Sequence, residues 1–390
     1  MSTPKQRRRR RWPFPVLALL LILGLGAVHS TDWLRSFGAQ PTGERLTRMQ
    51  RSPRYRNGAF ENAIPTERQL PGSFWRTVKL QFSGDQQRLP PAAIPIVAGT
   101  RETYASLPAS GLRATWLGHS STLIEIDGVR VLTDPVWGER ASPSTWVGPR
   151  RFHPPPLPLA ELPQIDGVVI SHDHYDHLDM PTIRALAADS AQPQLRFVVP
   201  LGIGAHLERW GVPAARITEL DWGDSTRLGD STRAVTLIAA ASRHFSGRRL
   251  RDAIGVGNPT LWATWVIAGN THRVFFSGDT GFFEDFAKIG AELGPFDLTL
   301  IKIGAYGETW PYIHLNPEEA VRAHGLLRGR VLLPIHWSTF NLAFHAWNEP
   351  ADRVVRAAES VGVTLTVPRP GQPVEPGRLP PASTWWRDVR

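Results

Sequence analysis

The 390-residue chain contains no cysteine. Disulfides, thiolate zinc sites and a cysteine nucleophile are therefore excluded, and the absence is compatible with an oxidising compartment. Acidic residues are missing from the first thirty positions, where Lys5 and Arg7 to Arg11 supply six positive charges. Of the net charge of +9, only +3 is left for the rest of the chain. Past residue 11 no basic stripe with interleaved aromatics occurs, only Arg248-Arg249 and Arg251, so no nucleic-acid partner is expected. No internal repeat is visible. The hydrophobic fraction of 42% is that of a globular protein, and the length suffices for one large domain or two ordinary ones.

The basic cluster precedes an uninterrupted apolar run from Trp12 to Val28, an n-region followed by an h-region. At about 17 residues the run lies at the lower edge of what a helix needs to cross a bilayer. Ala27-Val28-His29-Ser30 is a poor small-x-small cleavage site. Residues 1–30 therefore read as an uncleaved signal anchor, with a transmembrane helix at about 12–28, in preference to a cleaved signal peptide. The positive-inside rule keeps the Arg cluster in the cytoplasm and carries the large domain across. In a bacterium, which the Ala/Arg/Pro/Trp-rich composition fits, this gives a single-pass inner-membrane protein with a periplasmic domain. A surface tether with a cytoplasmic domain is the alternative.

Residues 31–110 are rich in Arg, Pro, Gly and Gln with little periodicity. They read as an extended arm with a few short helices that packs on the core. From residue 111 the pattern changes. Ala114 to Leu117, Ser121 to Ile126 and Val129 to Leu132 read as strands, the last two joined at an Asp127-Gly128 turn. Further strands are expected at 167–170, 196–199, 234–239, 261–267, 273–277, 298–303 and 331–335. Helices are expected at 180–189, 203–210, 282–293, 316–326 and 350–360. Asn316-Pro317-Glu318-Glu319 is a strong helix start, with an N-cap, Pro at the first position and acids in the first turn. Hairpins first, then alternating strands and helices, make two mixed sheets with helices outside the economical layered solution. The hydrolase domain is placed at 111–370, with a C-terminal tail at 371–390.

The segment Ser171-His172-Asp173-His174-Tyr175-Asp176-His177-Leu178-Asp179 packs three imidazoles and a carboxylate into six positions, after the apolar run Val168 to Ile170. Residues i and i+2 at a strand end point the same way, so His172 and His174 can grip one metal ion. Asp176 and His177, past the turn, can face a second. Imidazole nitrogen and carboxylate oxygen suit zinc, with iron or manganese as alternatives. Three later polar residues also follow apolar strands: His244, Asp279 and His336. His244 would complete the first site, His336 would join Asp176 and His177 on the second, and Asp279 would bridge the two ions. Taken singly, His244 and His336 could be satisfied strand-end histidines and Gly278-Asp279 an ordinary turn.

These segments in this order resemble the metallo-β-lactamase superfamily, which implies an α/β fold, a four-layer αββα sandwich of two mixed β-sheets, here preceded by the N-terminal membrane helix. The oxygen-reducing di-iron branch has Glu at the position of His174, so His there points to the hydrolases. The chain further resembles the N-acylphosphatidylethanolamine-hydrolysing phospholipase D family from about Arg51 to Pro350. Trp116-Leu117-Gly118-His119, Leu132-Thr133-Asp134-Pro135, Arg140-Ala141-Ser142-Pro143-Ser144, Glu219-Leu220-Asp221-Trp222, Phe276-Ser277-Gly278-Asp279-Thr280-Gly281 and Ile335-His336-Trp337-Ser338-Thr339-Phe340 carry the likeness. It implies His172, His174, Asp176, His177, His244, Asp279 and His336 as ligands of two divalent ions, and places the family's phosphate-facing histidine on His314. Asp134 would orient a ligating imidazole, and His119 would support the site by hydrogen bonding. Where the animal enzymes have Gln-Tyr near the phosphate, this chain has Thr145-Trp146, a substrate-binding pair of different chemistry. The family also implies a homodimer.

The expected function is a membrane-tethered, metal-dependent phosphoric diester hydrolase of phospholipase D type. It would act on N-acylphosphatidylethanolamine-like phospholipids through water activated between two metals, with Asp176 and His314 as catalytic residues. A lactonase or other ester hydrolase on the same metals, and a metal-binding envelope scaffold without turnover, are the competing readings. Trp222, Phe282, Phe283, Trp310, Trp337 and Phe340 could line a groove for acyl chains, although core packing is the commoner use of such residues. His153, His324 and His345 read as ordinary surface or structural histidines.

Overall fold

The computed structural model describes residues 32–249, 252 and 257–390. Among them no helix is long and apolar enough to cross a membrane. The membrane helix expected at 12–28 lies outside the described residues.

Two mixed sheets face one another. The first runs β15(Pro373–Val374), β3(Leu112–Gly118), β4(Ser121–Ile126), β5(Val129–Thr133), β6(Gly167–Val169), β7(Arg196–Pro200) and β8(Ile217–Leu220). The second runs β14(Gly329–Ile335), β13(Phe296–Lys302), β12(Arg273–Phe276), β11(Thr264–Ala268), β10(Ala234–Ala240) and β9(Ser225–Gly229). In both, antiparallel pairing gives way to parallel: β3 to β5 pair antiparallel and β5 to β8 parallel, while β9 to β12 pair antiparallel and β12 to β14 parallel.

The pleat sends alternate side chains to opposite faces. Leu123, Leu132, Val168, Phe197 and Val199 pack outward with Met180, Ile183 and Leu186 of α3(Met180–Ala188) and Leu207 of α4(Gly204–Arg209). Ile124, Val131, Val169 and Val198 point inward, into the cluster that holds Leu237, Val266 and Phe275 of the second sheet. Both faces being covered, the parallel strands read as near-continuous apolar runs. Each fully buried side chain of this kind contributes ~1.5–3 kcal/mol. On the far side, α6(Pro317–Leu326) packs on β13 and β14, between α5(Asp285–Leu293) and α7(Glu349–Val361). The order is helices, sheet, sheet, helices.

The arm preceding β3 carries α1(Gly43–Arg51), the hairpin β1(Tyr55–Arg56)–β2(Ala59–Phe60) and α2(Phe74–Phe82). Met49 and Phe60 form a small core with Leu201, Leu261 and Trp262. Arg45 pairs with Glu219 at 2.5 Å and Glu208 at 2.9 Å. At the other end, residues 371–390 pack on the domain: β15 pairs with β3, and Trp385 and Trp386 are buried against Trp337.

Candidate metal centre

The strands of both sheets end around one cavity. β6 runs into Ser171 and His172, β10 leads to His244, β12 to Asp279 and β14 to His336. The backbone there is forced: His119, Asp134 and His336 have φ of +50°, +33° and +64°, the left-handed region that L-residues occupy at a cost. Gly278, at φ +50°, lets the Asp279 turn lie against Ser171, because a Cβ on it would stand 2.3 Å from the Ser171 Cβ.

Two groups of donors result. In the first, His172 Nε2 lies 2.8 Å and His244 Nε2 3.3 Å from His174 Nδ1. His244 donates Nδ1–H to Ile313 O at 2.9 Å, which leaves its Nε2 bare. His172 likewise turns Nδ1 to the Ser171 hydroxyl, and that hydroxyl donates to Asp134. In the second, His177 donates Nδ1–H to Asp134 at 2.6 Å, and its Nε2 faces His336 Nε2 at 3.2 Å and Asp176 at 3.4 Å. Asp279 lies 3.0 Å from His336, 3.4 Å from His177 and 3.9 Å from His244. It thus stands between the groups, where a bridging carboxylate belongs. His119 Nε2 donates to Asp176 at 2.9 Å.

These residues fit divalent ions. Bare imidazole nitrogens converging on one point repel one another unless a cation lies between them. Tetrahedral zinc with bonds of ~2.0–2.1 Å separates its donors by about 3.3 Å. Among the described residues Asp279 Oδ1 is buried without a hydrogen-bond partner. Burial holds His172, His174 and His244 below the ordinary histidine range, in the neutral form that ligates metal, and takes His119 down to about 3. For His177 burial acts the same way, but Asp279, Asp176 and Asp134 outweigh it and hold the imidazole above its usual range. Burial alone would raise Asp176 and Asp279; the surrounding imidazoles, with Lys302 beside Asp279, hold both well below the carboxylate range.

Above the donors is a cavity of about 280 Å³ lined by His174, Asp176, Asp279, Trp310 and His314. His314 stands 3.7 Å from Asp279. Burial and the neighbouring Lys302 depress its imidazole. Around the site stand residues that the motifs did not reveal. Lys302, fully buried at the end of β13, donates to Gly304 O at 2.9 Å and to His314 Nδ1. Asn62 of the arm brackets the His244 backbone, donating to its carbonyl at 2.7 Å and accepting from its amide at 3.0 Å. Arg68 of the arm joins the lining. A lysine directly after the apolar pair Leu300-Ile301 was the available signal for the first; the arm gave none.

Thr145 and Trp146, expected as substrate contacts, do not line this cavity. Arg140 holds the carbonyls of Thr145 and Gly148 at 3.1 and 2.6 Å, folding the loop back on itself. Thr145 lines a separate cavity of about 800 Å³ beside Trp33 and Met180, and Trp146 is 74% exposed. Of the six aromatics weighed as a groove, Phe283, Trp337 and Phe340 are core residues, and Trp222 and Phe282 pack on the core. Trp310 lines the metal cavity. His153 and His324 are buried structural residues.

Comparison with known proteins agrees with this geometry. Residues 129–337 match the beta-lactamase superfamily domain. N-acyl-phosphatidylethanolamine-hydrolyzing phospholipase D 1 of Caenorhabditis elegans is 41% identical over 270 residues, 67% of this chain and 74% of the relative. An uncharacterised protein of Mycobacterium tuberculosis is 47% identical over 95% of this chain and 99% of its own length. Among solved structures, an isothiocyanate hydrolase from Delia radicum gut bacteria superposes with a TM-score of 0.52 at 16% identity, over 67% of this chain and 98% of that one, a likeness of fold. The chain belongs to the metallo-β-lactamase superfamily and, within it, to the N-acylphosphatidylethanolamine-hydrolysing phospholipase D family, and is a metal-dependent hydrolase.

Proposed function

We propose that the protein is a dinuclear zinc phosphodiesterase of phospholipase D type, acting on N-acylphosphatidylethanolamine-like phospholipids, and that residues 1–30 tether it to a bacterial inner membrane with the domain on the periplasmic side. The observation that carries this reading is the pair of histidine–carboxylate clusters sharing Asp279 beneath a cavity whose wall holds His314. His172, His174 and His244 would hold one ion, Asp176, His177 and His336 the other, with Asp279 between. When bound, the ions supply a nucleophile from water at neutral pH and stabilise charge on phosphoryl oxygens.

The chain's own groups do the rest. Asp134 and the Ile313 carbonyl fix His177 and His244 with Nε2 toward the centre. His119 steadies Asp176 by its hydrogen bond. His314 can donate to a phosphoryl oxygen or to the departing alkoxide. A lipid substrate is supported by the phospholipase relative and by the cavity rim. Helix α2 is tied by Arg76 to Glu308, two residues before the cavity-lining Trp310, and exposes Phe74, Trp75 and Phe82.

The test is release of phosphatidic acid from N-acylated and ordinary phosphatidylethanolamine by the full chain in detergent micelles loaded with zinc. His172→Ala and Asp279→Asn should each abolish it. Stoichiometric zinc binding without lipid turnover would refute the phospholipid assignment and bring lactones and soluble phosphodiesters forward.

A further inference from the structure

We propose that Lys302 is a positioning residue for the reaction, holding the His314 ring in the tautomer that presents Nε2–H to the substrate's phosphoryl or leaving-group oxygen. The proposal rests on the phosphodiesterase reading of the site and extends it to a residue outside the metal-binding motifs.

Lys302 closes β13 with none of its surface exposed, after the apolar residues Leu300 and Ile301. A buried ammonium is costly unless its donors are used. Its Nζ donates to the Gly304 carbonyl at 2.9 Å and to His314 Nδ1. The nearest carboxylate oxygen, on Asp279, is 4.0 Å away, at the edge of ion-pair range. The lysine is therefore spent chiefly on an imidazole and a carbonyl. An ammonium has three donors and no acceptor, so the ring nitrogen it meets must carry the lone pair. The imidazole proton is then on Nε2.

That nitrogen has no hydrogen-bond partner among the described residues, and the ring lines the cavity beside Asp176 and Asp279. The side chain is 14% exposed, open to a substrate and otherwise enclosed. Without Lys302 the His314 Nδ1 would face the Asp279 carboxylate, 3.7 Å away, which favours Nδ1–H, and a ring with Nδ1–H would turn a lone pair toward the negatively charged phosphoryl group. The capping box at Asn316 and Glu319 fixes the backbone two residues further on, so the ring's position and its proton are set by separate devices.

The experiment uses the full chain, zinc-loaded in micelles and labelled with ¹⁵N at the histidine rings. Ring-nitrogen shifts should show His314 as the Nε2–H tautomer. In Lys302→Met they should move to a mixture or to Nδ1–H, while His244, anchored on Ile313, stays unchanged. With bis(4-nitrophenyl) phosphate as substrate, Lys302→Met should lower kcat by about 10- to 100-fold at unchanged KM and zinc content. His314→Gln should lower it as well, and the double variant should be no slower than His314→Gln alone. An unaltered His314 tautomer in Lys302→Met, or losses that multiply in the double variant, would overturn the proposal. If Lys302→Met loses zinc, Lys302→Arg takes its place in the cycle: retention of the Nε2–H tautomer with most of kcat supports positioning, and loss of kcat with the tautomer intact refutes it. A wild-type protein inert toward phosphodiesters would refute the phosphodiesterase reading, and the tautomer measurement would still decide the role of Lys302.

Discussion

Asp134 accepts three hydrogen bonds of 2.6 Å, from the Ser171 amide, the Ser171 hydroxyl and His177 Nδ1, and none of its surface is exposed. It orients one imidazole directly and, through Ser171, a second. Asp134→Asn removes the charge that favours Nδ1–H on His177. Zinc affinity should fall about 10- to 100-fold, read by competition with a chelator; an unchanged affinity would show that the ring is oriented by packing alone. A different histidine sets a pH dependence. His324, 3% exposed and paired with the Thr299 hydroxyl, is lowered by burial from 6.5 to about 4. The folded state therefore refuses a proton that the unfolded chain accepts. Its stability contribution is whole above about pH 6.5 and is lost as pH falls toward 4, on the order of 3 kcal/mol. Other histidines of the unfolded chain take up protons over the same range, so the measurement is the difference between wild type and His324→Gln in urea melts from pH 7 to 4. A difference that does not change with pH would contradict the assignment.

At the scale of elements, the site is built where strands stop. The candidate ligands at 172, 244, 279 and 336 could be anticipated because each follows a run of apolar residues long enough to name the strand. Strands β8 and β9 escaped the same reading. They are sheet edges, and β9 alternates exposed Ser225, Arg227 and Gly229 around a single buried Leu228. Such a strand is defined by pairing with β10, and its sequence carries little pattern of its own. The helix after His314 was legible from its cap. Asn316 accepts from the Glu319 amide at 2.9 Å while Glu319 accepts from the Asn316 amide at 3.0 Å. Asn316→Ala should cost about 1 kcal/mol in thermal or urea unfolding. Because the cap sits two residues from His314, kcat should fall more than KM changes. A stability loss with unaltered kcat would separate the cap from the site.

The whole molecule makes the arm part of the centre. Asn62 brackets His244 from 182 residues away in sequence, and Arg68 reaches the cavity lining. Asn62→Ala leaves a backbone amide and carbonyl at the ligand without their partner. Zinc affinity should drop by about tenfold, and chelator competition on the full chain checks it. An equal affinity would make the arm a mere cover. The C-terminal residues act from the other side: Trp385 packs on Trp337, the neighbour of His336, with ring centroids 5.4 Å apart.

By itself the sequence determined the chemistry and the layers. No cysteine left histidine and carboxylate as candidate ligands, the H-x-H-x-D-H run marks where they begin, and the apolar periods located most of the strands and helices, because these signals are local and are read over a few residues. The tertiary structure decided what depends on residues far apart in the chain. It placed Lys302 on His314 and Asn62 on His244, and it left Thr145 and Trp146 outside the lining of the cavity. A buried lysine, an arm asparagine and a loop threonine have no distinctive spacing; their roles come from the side chains that folding brings within about 3 Å, the range over which a hydrogen bond acts.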